Sequence, residues 1–222
     1  MKKISFLVII TLVTVSLFAQ TANKPEAVPM SDNLFALQTA NNLARYGYSA
    51  RSASALIGAA EIFVQIQTQA AGAQATRSGE SIATTTDTQE YNPATLLADA
   101  KRFAGRDRTM TAWADEVQKA LNARTRGAVG GPRQASDVVY GGGVIEYQLG
   151  FIANQRAEVL LSGSGVSDLD LYIFDSNGIL ICADEGYSDD AFASWIPAWT
   201  GSFTIVVKNW GNRANRFVIY TN

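Results

Sequence analysis

The chain has 222 residues, with 18 Lys or Arg against 20 Asp or Glu, a single cysteine and no histidine. The missing histidine removes the commonest general base and the commonest transition-metal ligand. From Ser136 onward, 4 basic residues stand against 10 acidic ones. This excess of acid argues against nucleic acid as a partner, because phosphate binding requires clustered basic side chains.

The first 20 residues have the pattern of a secretory signal peptide. Lys2 and Lys3 precede an apolar run over residues 4–18, and cleavage is expected after Ala19 or Gln20. The alternative is an uncleaved membrane anchor, but the run is interrupted and shorter than the ~20 apolar residues of a spanning helix. We therefore predict an exported protein, periplasmic or secreted, with no membrane attachment after cleavage.

Residues 31–123 carry helical periodicity and predict a domain of about four helices, preceded by a mobile segment over 21–30. The first helix is expected to end at Gly47, and Asn92 followed by Pro93 is the favoured start of the third. Apolar residues recur at helical spacing in each segment: Leu34, Leu37, Ala40 and Ala44; Leu56, Ala59, Ala60, Phe63 and Ile66; Leu96, Leu97, Ala100 and Phe103; Met110, Trp113, Val117 and Leu121.

Two segments are predicted to lack regular structure. Residues 71–91 are small, polar and threonine-rich, and this composition buries too little apolar area to offset ordering entropy, so we predict a disordered loop. Residues 124–136 combine Gly, Pro and charge without periodicity, which is typical of a linker between domains.

Residues 137–222 change to a period of two and predict a β-sandwich of seven or eight strands. Leu169, Leu171 and Ile173 alternate with polar residues, and Asn177-Gly178 between two apolar runs predicts a hairpin. The expected fold class is therefore α+β in two parts, with an N-terminal helical bundle and a C-terminal all-β sandwich.

The C-terminal part resembles the bacterial pre-peptidase C-terminal domain family over about residues 144–222. The resemblance rests on Ser-Asp-Leu-Asp-Leu-Tyr at 167–172, Asp-Ser-Asn-Gly at 175–178, Pro-Ala-Trp-Thr-Gly at 197–201 and Phe-Thr-Ile-Val-Val at 203–207. It implies a jelly-roll-like sandwich in an exported protein. Such domains usually follow a catalytic domain, whereas here a helical part of no recognised family stands in that place, so the resemblance implies no protease activity.

Three carboxylates, Asp168, Asp170 and Asp175, are candidate calcium ligands, with Asp184, Asp189 and Asp190 in neighbouring loops. Calcium takes 6–8 oxygen ligands, and loops at one end of a sandwich can supply several of them. The alternative is that these carboxylates bond backbone amides and shape turns. The turn at 175–178 favours that alternative, because it lacks the downstream bidentate Glu of a calcium loop.

Aromatic side chains are the second kind of candidate. Tyr187, Trp199 and Trp210 lie in the acidic half, where they are candidate ligand-binding residues for a protein chain or a sugar. The alternative is that they fill the core, which we favour for Trp195.

Catalytic signals are missing from the sequence. Cys182 lies in an apolar strand and is expected to be a small buried hydrophobe, and no nucleophile elbow or Ser-x-x-Lys motif is present. We assign no catalytic residue and predict an exported, non-enzymatic binding or accessory protein, which engages an extracellular protein or glycan and is stabilised by calcium.

Two alternatives stay open at this point. One is a hydrolase in the helical region, with Glu61, Asp99 and Glu116 as its carboxylates. The other is a purely structural component of the cell envelope.

Overall fold

The computed structural model describes residues 29–82, 91–123 and 131–222. The predicted signal peptide, residues 21–28 of the predicted mobile segment and residues 124–130 of the predicted linker therefore lie outside the described residues. None of the described helices is both long and apolar enough to cross a membrane.

Four helices form the described part of the N-terminal half: α1 Asp32–Ala50, α2 Ala53–Gln65, α3 Pro93–Ala104 and α4 Arg108–Asn122. Each of the last three begins at a side-chain cap, in which Ser52, Asn92 or Asp107 accepts a backbone N–H of the first turn. The predicted start at Asn92-Pro93 and the helical spacing of the apolar residues are confirmed.

The predicted end of α1 at Gly47 is wrong, because the helix continues to Ala50 and closes at Arg51 in the left-handed region. Gly47 is a packing residue instead. A Cβ at this position would overlap the side chain of Leu56 on α2, so glycine allows the two helices to approach closely.

Ten strands are present in the described residues: β1 Gln69–Ala70, β2 Ala75–Ile82, β3 Arg133–Val139, β4 Gly141–Phe151, β5 Ala157–Gly163, β6 Leu169–Phe174, β7 Leu180–Asp184, β8 Asp190–Trp195, β9 Gly201–Asn209 and β10 Asn215–Thr221. They form two sheets. Sheet A has the order β1-β3-β10-β5-β8, and sheet B has the order β2-β4-β9-β6-β7. All pairs are antiparallel except β1 with β3.

The core of the sandwich follows the period of two that the sequence predicts. Leu169, Leu171 and Ile173 of β6 point into it, as do Ile205 and Val207 of β9. This confirms an α+β protein with helices followed by a β-sandwich.

The helices cover the outer face of sheet A rather than forming a separate unit. Leu160 of β5 and Tyr220 of β10 belong to the same apolar cluster as Leu34 and Leu56. For this reason every residue of β5 is buried, on both of its faces, and the outer face of sheet B is the one left uncovered by these helices.

The prediction of a disordered loop over 71–91 is wrong for residues 75–82, which form β2 and pair with β4 from Ala75↔Tyr147 to Ile82↔Gly141. This edge strand is stabilised by its backbone hydrogen bonds to β4, and these do not depend on the polar composition that suggested disorder. Residues 83–90 lie outside the described residues.

The predicted boundaries at 30 and at 136 are also displaced. Residues 133–136 belong to β3 rather than to a linker. Met30 packs against the helical cluster, and the carbonyl of Pro29 accepts a hydrogen bond from the Arg156 guanidinium. These last two residues of the predicted mobile segment are therefore held in place by the fold.

Candidate functional site

The most distinctive surface lies where β6 begins and β9 ends, at one end of the sandwich. It brings together acidic and aromatic side chains, and we call it the acidic aromatic end: Asp168, Asp170, Tyr172, Glu185, Tyr187, Lys208 and Trp210. The pairing of Leu169 with Asn209 places these two strand ends side by side.

Asp170 is the centre of this surface. It lies on the side of β6 opposite the core, yet it is only 4% exposed, because Tyr172 and Trp210 cover it. The Tyr172 hydroxyl lies 2.8 Å from Asp170 Oδ2, and the Trp210 indole N–H donates to the same oxygen. These hydrogen bonds supply the partners that a buried carboxylate requires.

The Tyr172 hydroxyl is shared between two carboxylates, since it also lies 2.9 Å from Glu185 Oε1. Desolvation and these two hydrogen bonds raise the pKa of Tyr172 well above its ordinary value. The phenol therefore stays protonated at neutral pH and serves as a donor.

Trp210 is held on several sides and is nevertheless open to solvent. Its backbone N–H donates to the Asp168 carbonyl at 3.0 Å, and Lys208 Nζ lies 3.2 Å from the centroid of its ring, a cation–π contact. Trp210 as a whole remains 56% exposed. The surface therefore presents a large aromatic side chain in a fixed position.

Asp168 differs from the other carboxylates at this end. Its Oδ1 is buried and has no hydrogen-bond partner among the described residues. Desolvation, followed by the charges of Asp170 and Asp189, raises the pKa of this carboxyl. An oxygen in this position favours either a proton or a bound cation.

Asp189 and Asp190 are already paired. Arg45 Nη1 on α1 lies 2.9 Å from Asp189 Oδ1, and its Nη2 bonds Asp190. Burial lowers the pKa of the Arg45 guanidinium, but the two carboxylates more than offset this effect and raise it. These two acids stabilise the junction between helix and sandwich.

Asp175 lies at the opposite end of β6 and shapes a turn. Its Oδ1 accepts the backbone N–H groups of Asn177 and Ile179, both at 2.8 Å, and these bonds lower its pKa. Only Gly178 of the predicted Asn-Gly pair has a positive φ, of 76°. Asp168, Asp170 and Asp175 therefore do not form one site, because five residues of strand separate Asp175 from Asp170 by about 16 Å.

The described residues contain no group of three or more Asp, Glu or Cys side chains arranged to hold a metal ion. Of the predicted calcium ligands, only Asp168 and Asp170 share one end of the sandwich, and Asp170 is already bonded to Tyr172 and Trp210.

The three candidate aromatic residues do not lie together at one end of the sandwich. Tyr187 is fully exposed between β7 and β8, at the same end as Trp210. Trp199 lies between β8 and β9 at the other end, where it stacks on Phe203 with ring centroids 5.8 Å apart. Trp195 is 9% exposed and packs in the core, as predicted.

Cys182 is half-buried and packs against the sandwich core. Burial raises the pKa of its thiol to about 11, so little thiolate forms at neutral pH. This supports the prediction of a small hydrophobe rather than a reactive thiol.

Two of the three carboxylates proposed for a hydrolase in the helical region have local partners. Asp99 accepts from the Tyr48 hydroxyl at 2.9 Å and pairs with Arg102 at 2.8 Å. Glu116 pairs with Lys119 at 2.6 Å on the exposed face of α4. Glu61 is half-buried on α2.

Sequence reasoning missed Lys208, Glu185 and Arg45. The alternation along β9 already places Lys208 and Trp210 on one face, so that contact was open to prediction. No local pattern points from Arg45 to Asp189, which is 144 positions away in the chain.

No family model matches the chain, and no curated protein matches it. Among solved structures, a periplasmic inhibitor of g-type lysozyme from Aeromonas hydrophila is 15% identical, with a TM-score of 0.34, covering 45% of this chain and 90% of its own. The pre-peptidase C-terminal domain of a Bacillus anthracis collagenase is 9% identical, with a TM-score of 0.33, covering 40% and 87%. A carbohydrate-binding module of Cellvibrio mixtus lichenase 5A, in complex with cellotriose, is 12% identical, with a TM-score of 0.24, covering 40% and 86%. These likenesses concern the β-sandwich alone and carry no argument about ligand or activity.

Proposed function

We propose that this is an exported, non-enzymatic binding protein, whose acidic aromatic end holds an extracellular partner. The observation that carries the proposal is Trp210, a residue that is 56% exposed and whose side chain is nevertheless fixed by Asp170 and Lys208. An aromatic group already held in place loses little conformational freedom when it is covered by a partner. Tryptophan is also among the residues that dominate binding energy at interfaces.

The charge of this end favours a basic protein surface as the partner. Asp168, Asp170 and Glu185 lie around Trp210 and Tyr187, and Lys208 is the one basic member of the acidic aromatic end. Complementary charge increases the rate and specificity of association. A glycan is the second candidate, because exposed aromatic rings beside carboxylate oxygens can stack on a sugar and accept its hydroxyls.

The test measures binding of a lysine-rich peptide and of a neutral glycan array to the mature protein and its variants. For a basic partner, Trp210→Ala should weaken binding by roughly 30-fold, corresponding to a hot spot of about 2 kcal/mol. Trp199→Ala, at the opposite end of the sandwich, is the matched control and should leave binding unchanged. Salt should weaken binding of the peptide and not that of a neutral glycan.

Two results would count against the proposal. If the two variants lose binding equally, the acidic aromatic end is not the contact surface. If the protein binds neither probe, a partner of this chemistry is excluded, and a purely structural role in the envelope is favoured.

Calcium is a separate part of the proposal and rests on the buried, unpartnered Oδ1 of Asp168. A ligand present at a hundred times its Kd adds about 2.7 kcal/mol to the free energy of unfolding. Thermal unfolding with calcium and with chelator should show a higher Tm with calcium, and the double variant Asp168→Ala, Asp170→Ala should abolish the difference. An unchanged Tm in the unsubstituted protein would overturn this part and leave the binding proposal intact.

Export and membership of the pre-peptidase C-terminal family belong to the same proposal, and both rest on the sequence. The hydrolase alternative is less well supported, because Asp99 and Glu116 each form an ion pair with a neighbour on their own helix.

A further inference from the structure

Five large apolar residues are exposed together at the end of the sandwich opposite the acidic aromatic end. We call this surface the apolar end: Ile152, Ile179, Leu180, Ile196 and Trp199, which are 56%, 60%, 50%, 69% and 40% exposed. Eleven large apolar residues are exposed in the described part of the chain, so nearly half of them lie at this one end. Such a concentration marks an interaction surface, whereas apolar residues scattered singly over a protein need no explanation.

The five residues lie on, or directly after, three turns: 152–156 between β4 and β5, 175–179 between β6 and β7, and 196–200 between β8 and β9. The first and third turns contact one another, since the Asn154 N–H donates to the Pro197 carbonyl at 2.8 Å. β9 lies between β4 and β6, and its start is next to the ends of both of these strands. The three turns therefore form one surface.

The three turns expose little charge. They contain two ionisable side chains, Arg156 and Asp175. Asp175 is 4% exposed and bonded within its own turn, and Arg156 pairs with the buried Glu158 at 2.6 Å. Arg133 borders the first turn, where it donates to the Gly150 carbonyl at 3.1 Å, and it has no acidic partner among the described residues. The turns therefore expose no carboxylate side chain, and an unpaired cation lies beside them.

The chain enters the described structure at this same end. The carbonyl of Pro29, the first described residue, accepts a hydrogen bond from Arg156 of the first turn. The Ser31 N–H then donates to Glu158 Oε1 at 3.1 Å. The apolar run over residues 4–18 precedes Pro29 in the sequence, so the predicted signal peptide is connected to the fold at the apolar end. This connection points to a membrane as the surface that the apolar end meets.

We propose that the apolar end inserts into the surface of a phospholipid bilayer, with Trp199 and the isoleucines at the level of the headgroups. A fluid bilayer needs no complementary shape, so lipid can cover side chains that lie on separate turns. Tryptophan is enriched at membrane interfaces. Anionic lipid attracts basic side chains near its surface, and Arg133 is the group placed to contact a phosphate.

This proposal departs from the expectation of no membrane attachment after signal cleavage. That expectation concerned a spanning segment, whereas side chains inserted from turns need none, because a protein can lie on a membrane without crossing it. The acidic aromatic end is at the opposite end of the sandwich and stays free to hold its partner. The two sites are therefore independent, and either can fail without the other.

The test is flotation of the mature protein with two kinds of vesicle, phosphatidylcholine alone and an equal mixture of phosphatidylcholine and phosphatidylglycerol. The protein should bind both, and bind the mixture about fivefold more tightly, because this is the contribution of one basic side chain near an anionic surface. An absence of binding to the mixture at about 1 mM lipid, roughly ten times the half-saturation concentration of a single acyl anchor, would overturn the proposal.

A double variant locates the inserted residues. Ile152→Ser combined with Ile196→Ser should weaken vesicle binding at least about tenfold, because apolar carbons that enter the bilayer are lost. Both isoleucines are exposed, so the fold should be retained, and thermal unfolding checks this. Tyr187→Ser removes a fully exposed aromatic residue at the opposite end and is the control, which should bind normally. Unchanged binding in a folded double variant would show that the apolar end is not the contact.

Tryptophan quenching determines the orientation on the membrane. Vesicles of brominated phosphatidylcholine should quench the fluorescence of the unsubstituted protein, and Trp199→Phe should remove most of this quenching. Trp210→Phe should leave it in place, because Trp210 lies at the opposite end. The reverse result would place the acidic aromatic end on the lipid and contradict the proposal, whether or not Trp210 also binds a basic peptide.

A second copy of the protein is the competing occupant of this surface. Sedimentation equilibrium of the mature protein without vesicles should show a monomer. A dimer that dissociates when Ile152 and Ile196 are replaced by serine would identify the apolar end as a surface between two copies, and the membrane proposal would then be wrong.

Discussion

Arg45 on the first helix forms an ion pair with Asp189 at the start of β8, with Nη1 and Oδ1 2.9 Å apart. The side chains are 20% and 8% exposed, so the pair lies largely out of water. It neutralises a carboxylate of the sandwich with a cation of the helical part, and the two parts depend on one another at this contact.

Replacing Arg45 should therefore destabilise the whole protein. Arg45→Ala leaves Asp189 buried without its cation, and we expect a loss of about 2–4 kcal/mol in the free energy of unfolding, measured by urea denaturation. Arg102→Ala is the control, because the Arg102 side chain that pairs with Asp99 is 67% exposed, and the loss in stability should be below about 1 kcal/mol. Equal losses in the two variants would show that the junction does not depend on this pair.

Gly47 and Gly58 both lie in helices, and replacing each by alanine should change the stability of the protein in opposite directions. A Cβ on Gly47 would overlap Leu56, whereas a Cβ on Gly58 would make an ordinary 3.7 Å contact with Leu43. Gly58→Ala should stabilise by up to about 1 kcal/mol through helix propensity, and Gly47→Ala should destabilise by about 1–3 kcal/mol through overpacking. Thermal unfolding of both variants checks the sign, and a stabilising Gly47→Ala would contradict the close packing of α1 on α2.

Asp168 should make the protein less stable as the pH rises. Its folded-state pKa lies above the ordinary value of 3.8, so the folded protein binds the proton more tightly than the unfolded chain, and stability falls as the pH rises through this interval. Asp168→Asn removes that contribution. The difference between variant and unsubstituted protein should be smallest below pH 3.8 and should grow, in favour of the variant, toward neutral pH. A constant difference across urea titrations from pH 3 to 7 would refute the assignment.

Asp175 should make the protein more stable as the pH rises, which is the opposite of the effect expected for Asp168. Its folded-state pKa lies below 3.8 because backbone N–H groups stabilise the carboxylate. The stability it contributes is present above that pH and is lost as the pH falls toward the folded-state value. Asp175→Asn should therefore be less stable than the unsubstituted protein at neutral pH, with the gap closing in acid. Were the gap to widen in acid, the turn would not depend on the charged carboxylate.

The features that the sequence predicted correctly are local ones. The cap at Asn92 with Pro93, the apolar face of β6 and the turn at Asp175 depend on residues within a few positions of one another. The end of α1 was mispredicted, because a glycine usually ends a helix, whereas Gly47 packs against Leu56 of α2. The local sequence around Gly47 gives no sign of this contact.

Most of the other failures concern residues that are distant in the chain. β2 has the composition of a loop, and only its pairing with β4 makes it a strand. The contacts of the candidate site are also between distant residues. The sequence alone could not predict that Asp170 pairs with Lys208 on the neighbouring strand, or that Arg45 contacts Asp189. Asp175 was grouped with Asp168 on the expectation that their loops share one end of the sandwich, whereas β6 lies between them and keeps them at opposite ends.

The pairing of β2 with β4 has a consequence for how the chain is assembled. α3 and α4 lie between these two strands in the polypeptide, so the sandwich is a discontinuous unit interrupted by two helices. During synthesis, β2 emerges well before its partner and must wait, unpaired, until β4 has been made. A fragment that ends after α4 would leave β2 without a sheet, and one that begins at β3 would expose the bare edge of β4 and the apolar outer face of β5 to water. Neither half of the chain is expected to fold without the other.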